Sequence, residues 1–129
     1  MKYLGIDYGR RKIGLSIADS ESKLAEPYKV ISVNNFSGLI EKLNKISHAE
    51  NISKLVIGVS ENNMAEETKG FVRALIEKTN LKIVLHDETL TTKEAQRLSR
   101  EAGVKQKKRK RMEDAYAATL MLQSYLDES

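Results

Sequence analysis

The stretch MKYLGIDYGRRKIGLSIAD, Met1 to Asp19, constrains the fold more than any other part of the chain. Side chains alternate along a strand, so Tyr3, Gly5 and Asp7 share one face while Leu4, Ile6 and Tyr8 take the other. After a short turn at Tyr8-Gly9-Arg10-Arg11, Ile13, Leu15 and Ile17 alternate with Gly14, Ser16 and Ala18, which predicts a second strand paired with the first as a hairpin. Asp7 closes the first strand, although aspartate is depleted in strands. It either starts the turn, where Asp caps its own backbone well, or serves chemistry at the strand end.

The polar turn Ser20 to Lys23 leads to Pro27, which is expected at the start of a third strand over Tyr28 to Val33. Three successive strands predict an antiparallel meander. The period then changes. Phe36, Leu39, Ile40, Leu43 and Ile46 fall at helical spacing behind an N-cap at Asn34 or Asn35. Lys54 to Val59 is a short unbroken apolar run, the pattern of a strand covered on both faces. Asn63 with Glu66 reads as a capping box before a helix carrying Phe71, Val72, Leu75 and Ile76. Leu81 to Glu88 reads as a strand, Thr91 with Glu94 as the start of a helix that Gly103 ends, and Met112 to Leu126 as the last helix. Three strands followed by alternating helix and strand predict one α/β domain over residues 1–129, a mixed sheet with helices on its faces.

A chain of 129 residues is long enough to bury a core without staples, and the absence of cysteine excludes a disulfide framework and a thiolate zinc site. No long apolar run opens the sequence, so neither signal peptide nor membrane span is expected, and the cytoplasm is the expected compartment. The net charge of +4 is unevenly spread. Lys105, Lys107, Lys108, Arg109, Lys110 and Arg111 supply six positive charges, and taking those six away leaves the remainder at −2. Such a block is either a solvated loop or a phosphate-binding patch, and the acids elsewhere favour the patch.

Those acids come from separate elements. Alternation along Leu81 to Glu88 sets Glu88 on the face of Val84 and His86, opposite Asp87. On the last helix Asp114 shares a face with Ala117, Ala118, Met121 and Tyr125, where small residues permit close packing on the sheet. A first-turn carboxylate is also favoured by the helix dipole alone, more clearly for Glu113 than for Asp114. Asp7, Glu88 and Asp114 without cysteine suit a hard, oxygen-liganded ion, Mg2+ or Mn2+. Two such ions about 4 Å apart activate water and stabilise the leaving oxygen of a phosphodiester.

Three segments in order, GIDYGRRKIGLSIAD, HDETLTT and EDAYAATLMLQSYL, resemble the YqgF/RuvX family, candidate Holliday junction resolvases with an RNase H-like fold that are also linked to maturation of the 5′ end of pre-16S rRNA. The resemblance implies a five-stranded mixed sheet, its first three strands antiparallel and helices flanking it. It also implies catalytic, metal-binding roles for Asp7, Glu88 and Asp114, with Asp87 in support and Gly5, Gly9 and Gly14 at turns and close approaches. Arg10, Arg11, Lys105, Lys107, Lys108, Arg109, Lys110 and Arg111 are the expected nucleic-acid-binding residues. The sequence departs from the family pattern where Gly58-Val59-Ser60 replaces Gly-Leu-Pro, where no glycine follows between Asn62 and Glu67, and where Thr89 replaces an arginine.

The expected activity is metal-dependent hydrolysis of structured RNA or branched DNA. Ribosomal precursor particles are implied partners, and the protein is expected to act as a monomer or homodimer. A non-catalytic, ribosome-associated binding factor is the alternative, drawn from the departures just described. A sugar-kinase-like phosphate-binding hairpin would need two large domains, more than this length supplies.

Overall fold

The two alternating runs form β1 (Lys2–Asp7) and β2 (Lys12–Asp19), which pair antiparallel with Lys2 opposite Asp19 and Asp7 opposite Gly14. The computed structural model describes residues 1–9, 11–59, 66–87 and 106–128, with the backbone alone for 106–110. β3 (Ala25–Ser32) completes the meander, antiparallel to β2. It starts earlier than the sequence pattern suggests and takes Pro27 inside it. Pro27 lies opposite Ser16, beside a shift in the β2–β3 register, on the outermost strand of the sheet. An edge strand and an irregular register are the places where a missing N–H costs no ladder bond.

β4 (Ile52–Val59) lies parallel to β1, and β5 (Lys82–Asp87) lies parallel to β4, giving the order β3-β2-β1-β4-β5. The sheet is therefore mixed, with the expected antiparallel first three strands. Because β1, β4 and β5 run the same way, Asp7, Val59 and Asp87 all come to one end of the sheet.

α1 (Phe36–Ala49) is capped by Asn35, whose Oδ1 accepts the Gly38 N–H at 2.7 Å. The chain leaves it through Asn51 at φ 55°, in the left-handed region that asparagine tolerates. α2 (Glu66–Lys78) has Glu66 and Glu67 in its first turn, matched to the positive end of the helix. Its proposed cap, Asn63, lies outside the described residues, as does the helix expected between Thr91 and Gly103. Phe71, Val72 and Leu75 of α2 are buried, but Ile76 is 58% exposed, so the apolar stripe is narrower than the sequence pattern suggests.

α3 (Gln106–Glu128) begins six residues before the expected Met112 and absorbs Lys107 to Arg111 into its first turns. The loop reading of that block fails for a simple reason: Gln, Lys, Arg and Met are good helix formers, and neither Gly nor Pro interrupts the run. Asp114 is consequently more than two turns inside the helix, and the first turn contains no acid. The dipole therefore does not explain Asp114, since its effect fades beyond the first turn.

Two cores result. On one face Leu4, Ile6, Ile13, Leu15, Leu55 and Ile57 pack with Leu39 and Leu43 of α1 and Phe71 and Leu75 of α2. On the other, Ala18 and Val56 pack with Met121, Leu122 and Leu126 of α3, with Tyr3, Ala25 and Tyr125 at the margin. Among the described residues, no helix is long and apolar enough to cross a membrane.

Candidate active site

Asp7 ends the central strand on the face that α3 covers, and both of its cross-strand neighbours are glycines: Gly14 on β2 and Gly58 on β4. Neither of these two directly paired residues carries a side chain. On the β2 side the space belongs to α3, because a Cβ added at Gly14 would overlap the Asp114 carbonyl group. The helix backbone thus rests directly on Gly14, next to Asp7.

The same close approach continues along the helix. A Cβ at Gly5 would meet Leu122 Cβ at 3.0 Å and the Ala118 carbonyl oxygen at 3.3 Å. Between the two glycines, the buried Ser16 hydroxyl donates to the Ala118 carbonyl at 2.9 Å. Ala115 and Ala118 are fully buried against this row. The small alanines of the helix and Gly5, Gly14 and Ser16 of the sheet together make the fit. Further along, Lys54 Nζ donates to Tyr125 Oη at 2.9 Å and sits over the Tyr3 ring, while His86 Nε2 lies 3.1 Å from Ser124 Oγ. The Tyr125 hydrogen bond raises the Lys54 pKa. These contacts fasten the C-terminal half of α3 to β1, β4 and β5.

The Asp114 pKa is raised, first by burial, then by the charges of Asp7 and Glu113, while the Lys12 charge pulls it down. Two half-buried carboxylates that repel each other at one strand end form a donor set that a divalent cation relieves, and oxygen donors of this kind fit Mg2+ or Mn2+. Glu88 lies outside the described residues. Among those described, no three His, Asp or Glu side chains gather closely enough to hold an ion. β5 approaches the same end of the sheet, with His86 in register with Gly58 and Gly58 in register with Asp7.

Of the expected phosphate-binding residues, Arg11 and Arg111 are exposed. Lys107, Lys108, Arg109 and Lys110 precede Asp114 on α3, within about 11 Å along its axis. Arg10 and Lys105 lie outside the described residues. Sequence reasoning passed over Gly58, Ser16 and Lys12. Small residues in register with an acid were the available signal, but parallel register is set by the fold and is not written in any one segment. A cavity of about 380 Å3 lined by Asn44, Ser47, His48 and Thr79 also touches Ile52 and Leu81, at the opposite end of the parallel strands.

The sequence profile of the RuvX family, described as Holliday junction resolvase, matches residues 1–128. Candidate pre-16S rRNA nucleases are similar over nearly the whole chain. That of Anaplasma marginale is 33% identical over 98% of this chain and 84% of its own length. That of Carboxydothermus hydrogenoformans is 35% identical over 98% and 96%, and that of Leuconostoc mesenteroides 37% identical over 98% and 95%. Among solved structures, the fowlpox virus resolvase bound to Holliday junction DNA superposes with a TM-score of 0.64 at 12% identity, covering 99% of this chain and 98% of that one. RuvC of T. thermophilus with a Holliday junction substrate gives 0.61 at 13% identity, covering 99% and 94%. These two likenesses show the fold, which is RNase H-like.

Proposed function

The chain belongs to the RuvX family of nucleases, and from that membership we propose that residues 1–129 form one divalent-metal-dependent endonuclease domain that trims the 5′ end of pre-16S rRNA. The observation that carries this reading is the pairing of Asp7 with Asp114 through Gly14, because the fold spends two glycines and a buried serine on holding two mutually repelling acids together.

Asp7, Asp114 and Glu88 would hold Mg2+ or Mn2+, in one or two sites. A divalent ion held there would lower the pKa of an attacking water and neutralise charge on the leaving oxygen. The chain's own residues do the rest. Gly14 and Gly58, in register with Asp7, add no side-chain bulk of their own where a phosphodiester would approach it. Ser16, by anchoring the Ala118 carbonyl, fixes where along β2 the Asp114 carboxyl stands. Arg11 and the cationic turns of α3 attract the polyanion, so affinity falls as salt rises.

The relatives that span this chain at 31–37% identity carry the ribosomal RNA name, whereas the DNA resolvases at 12–13% share the fold alone. RNA is therefore the first substrate to test. Cleavage of a pre-16S 5′-end fragment and of a four-way DNA junction, with Mg2+, is measured beside Asp7→Asn. Loss of cleavage in the variant is expected. Equal activity in both proteins would overturn the reading, and tight metal-independent RNA binding without any cleavage would select the non-catalytic factor in its place.

A further inference from the structure

Lys12 opens β2 two residues before Gly14, about 6.6 Å along the strand. By strand alternation it shares the face of Gly14 and Ser16, the face on which α3 lies, whereas its neighbour Arg11 falls in step with Ile13 on the other face. Its side chain is exposed, and its charge reaches Asp114 across the place where the helix rests on Gly14. Among the described residues the Lys12 side chain makes no hydrogen bond or salt bridge, so its ammonium acts on Asp114 by charge without being bound to it.

Arg111 lies on α3 just before Asp114. It precedes Asp114 by three residues, about 4.5 Å of helix rise and almost one turn, so the two share a helix face. Arg111 is also exposed, and among the described residues its side chain likewise makes no hydrogen bond or salt bridge. One cation thus comes from the sheet, within electrostatic reach of Asp114, and one from the helix, three residues before it. Acids that gather metal repel the phosphates next to the one being cut. Two unpaired cations at the border of the acidic pair hold such a phosphate in place and limit the positions in which the strand can lie.

We propose that Lys12 and Arg111 together bind the phosphate adjoining the scissile one, so that the nucleic-acid strand leaves the carboxylates across the start of β2 toward the first turns of α3. This rests on the nuclease reading above and adds to it a direction for the substrate. Lys12 is a binding residue in this scheme: it positions the strand and takes no proton from it.

The test measures binding without cleavage. In an Asp7→Asn background, with chelator present, fluorescence anisotropy follows a labelled pre-16S 5′-end fragment over a series of KCl concentrations. Lys12→Gln and Arg111→Gln are each expected to weaken binding several-fold and to reduce the slope of log K against log salt by about one. Lys12→Arg keeps the slope. Lys42→Gln, an equal charge change on the exposed face of α1, leaves affinity and slope as in the parent. Thermal melts confirm that the variants fold. A Lys12→Gln slope equal to that of Lys42→Gln would overturn the proposal while leaving the nuclease reading intact. Salt-independent or absent binding by the parent would overturn the nuclease reading itself, and the role of Lys12 with it.

Discussion

The two faces of the sheet are packed by opposite means. Toward α1 and α2 the strands present Leu4, Ile6, Ile13, Leu15, Leu55 and Ile57, large side chains meeting Phe71 and Leu75. Toward α3 the middle strands present Gly5, Gly14, Ser16 and Ala18, and the helix answers with Ala115 and Ala118. The first face stabilises by apolar area, which is non-directional and tolerates repacking. The second sets backbone against backbone and tolerates almost nothing, and it is the face that carries Asp7 and Asp114. The proposed site and the larger of the two apolar cores thus lie on different sides of one sheet, and substitutions can separate them.

The largest expected effect is on the α3 face, where Asp7→Asn brings cleavage to background while leaving the melting temperature at or above that of wild type, as single-turnover assays and calorimetry will read. Next comes Gly14→Ala. Its added methyl forces α3 off β2, and a displacement near 1 Å at a reacting group costs on the order of 100-fold in rate. On the other face Leu75→Ala is expected to cost about 2–5 kcal/mol in denaturant unfolding with little change in turnover per folded molecule. A Leu75→Ala protein that is folded yet inactive would break the division between the faces.

The smallest effect concerns charge. The folded-state pKa of Asp114 lies above its unfolded value, so the stability it contributes is present at low pH and is lost as pH rises through the folded pKa. Asp114→Asn removes that loss and is expected to raise the melting temperature of metal-free protein near neutral pH by about 2 °C, with little gain in acid. The group is only partly buried, which keeps the effect small. Adding Mg2+ is expected to stabilise wild type and not this variant.

Much of this was legible in the sequence because the relevant signals are local. Period-two alternation gave β1 and β2, the apolar run gave most of β4, and helical spacing gave α1 with its asparagine cap. Asp7 and Asp114 were legible as acids in places that packing alone does not explain. The start of α3 was not, because a run of lysine and arginine suits a solvated loop by charge and a helix by propensity, and only packing of the residues beyond it decides. Pro27 inside β3 depends on that strand lying at the sheet edge, and the exposure of Ile76 depends on how far α2 is covered, both of them tertiary facts. The pairing of Gly58 with Asp7 is a register between strands some fifty residues apart, which no local pattern encodes.

Gly14 and Gly58, on either side of Asp7, mean that the two halves of the molecule fail in opposite directions. The α1–α2 half is damaged by losing atoms, and a neighbour that swells into the void can repair it. Where α3 rests on Gly5 and Gly14 it is damaged by gaining them, and no neighbour can shrink below glycine. Mutational drift in this chain would therefore be buffered in its core and unforgiving at its strand ends, where the harmful change is the arrival of a single methyl group.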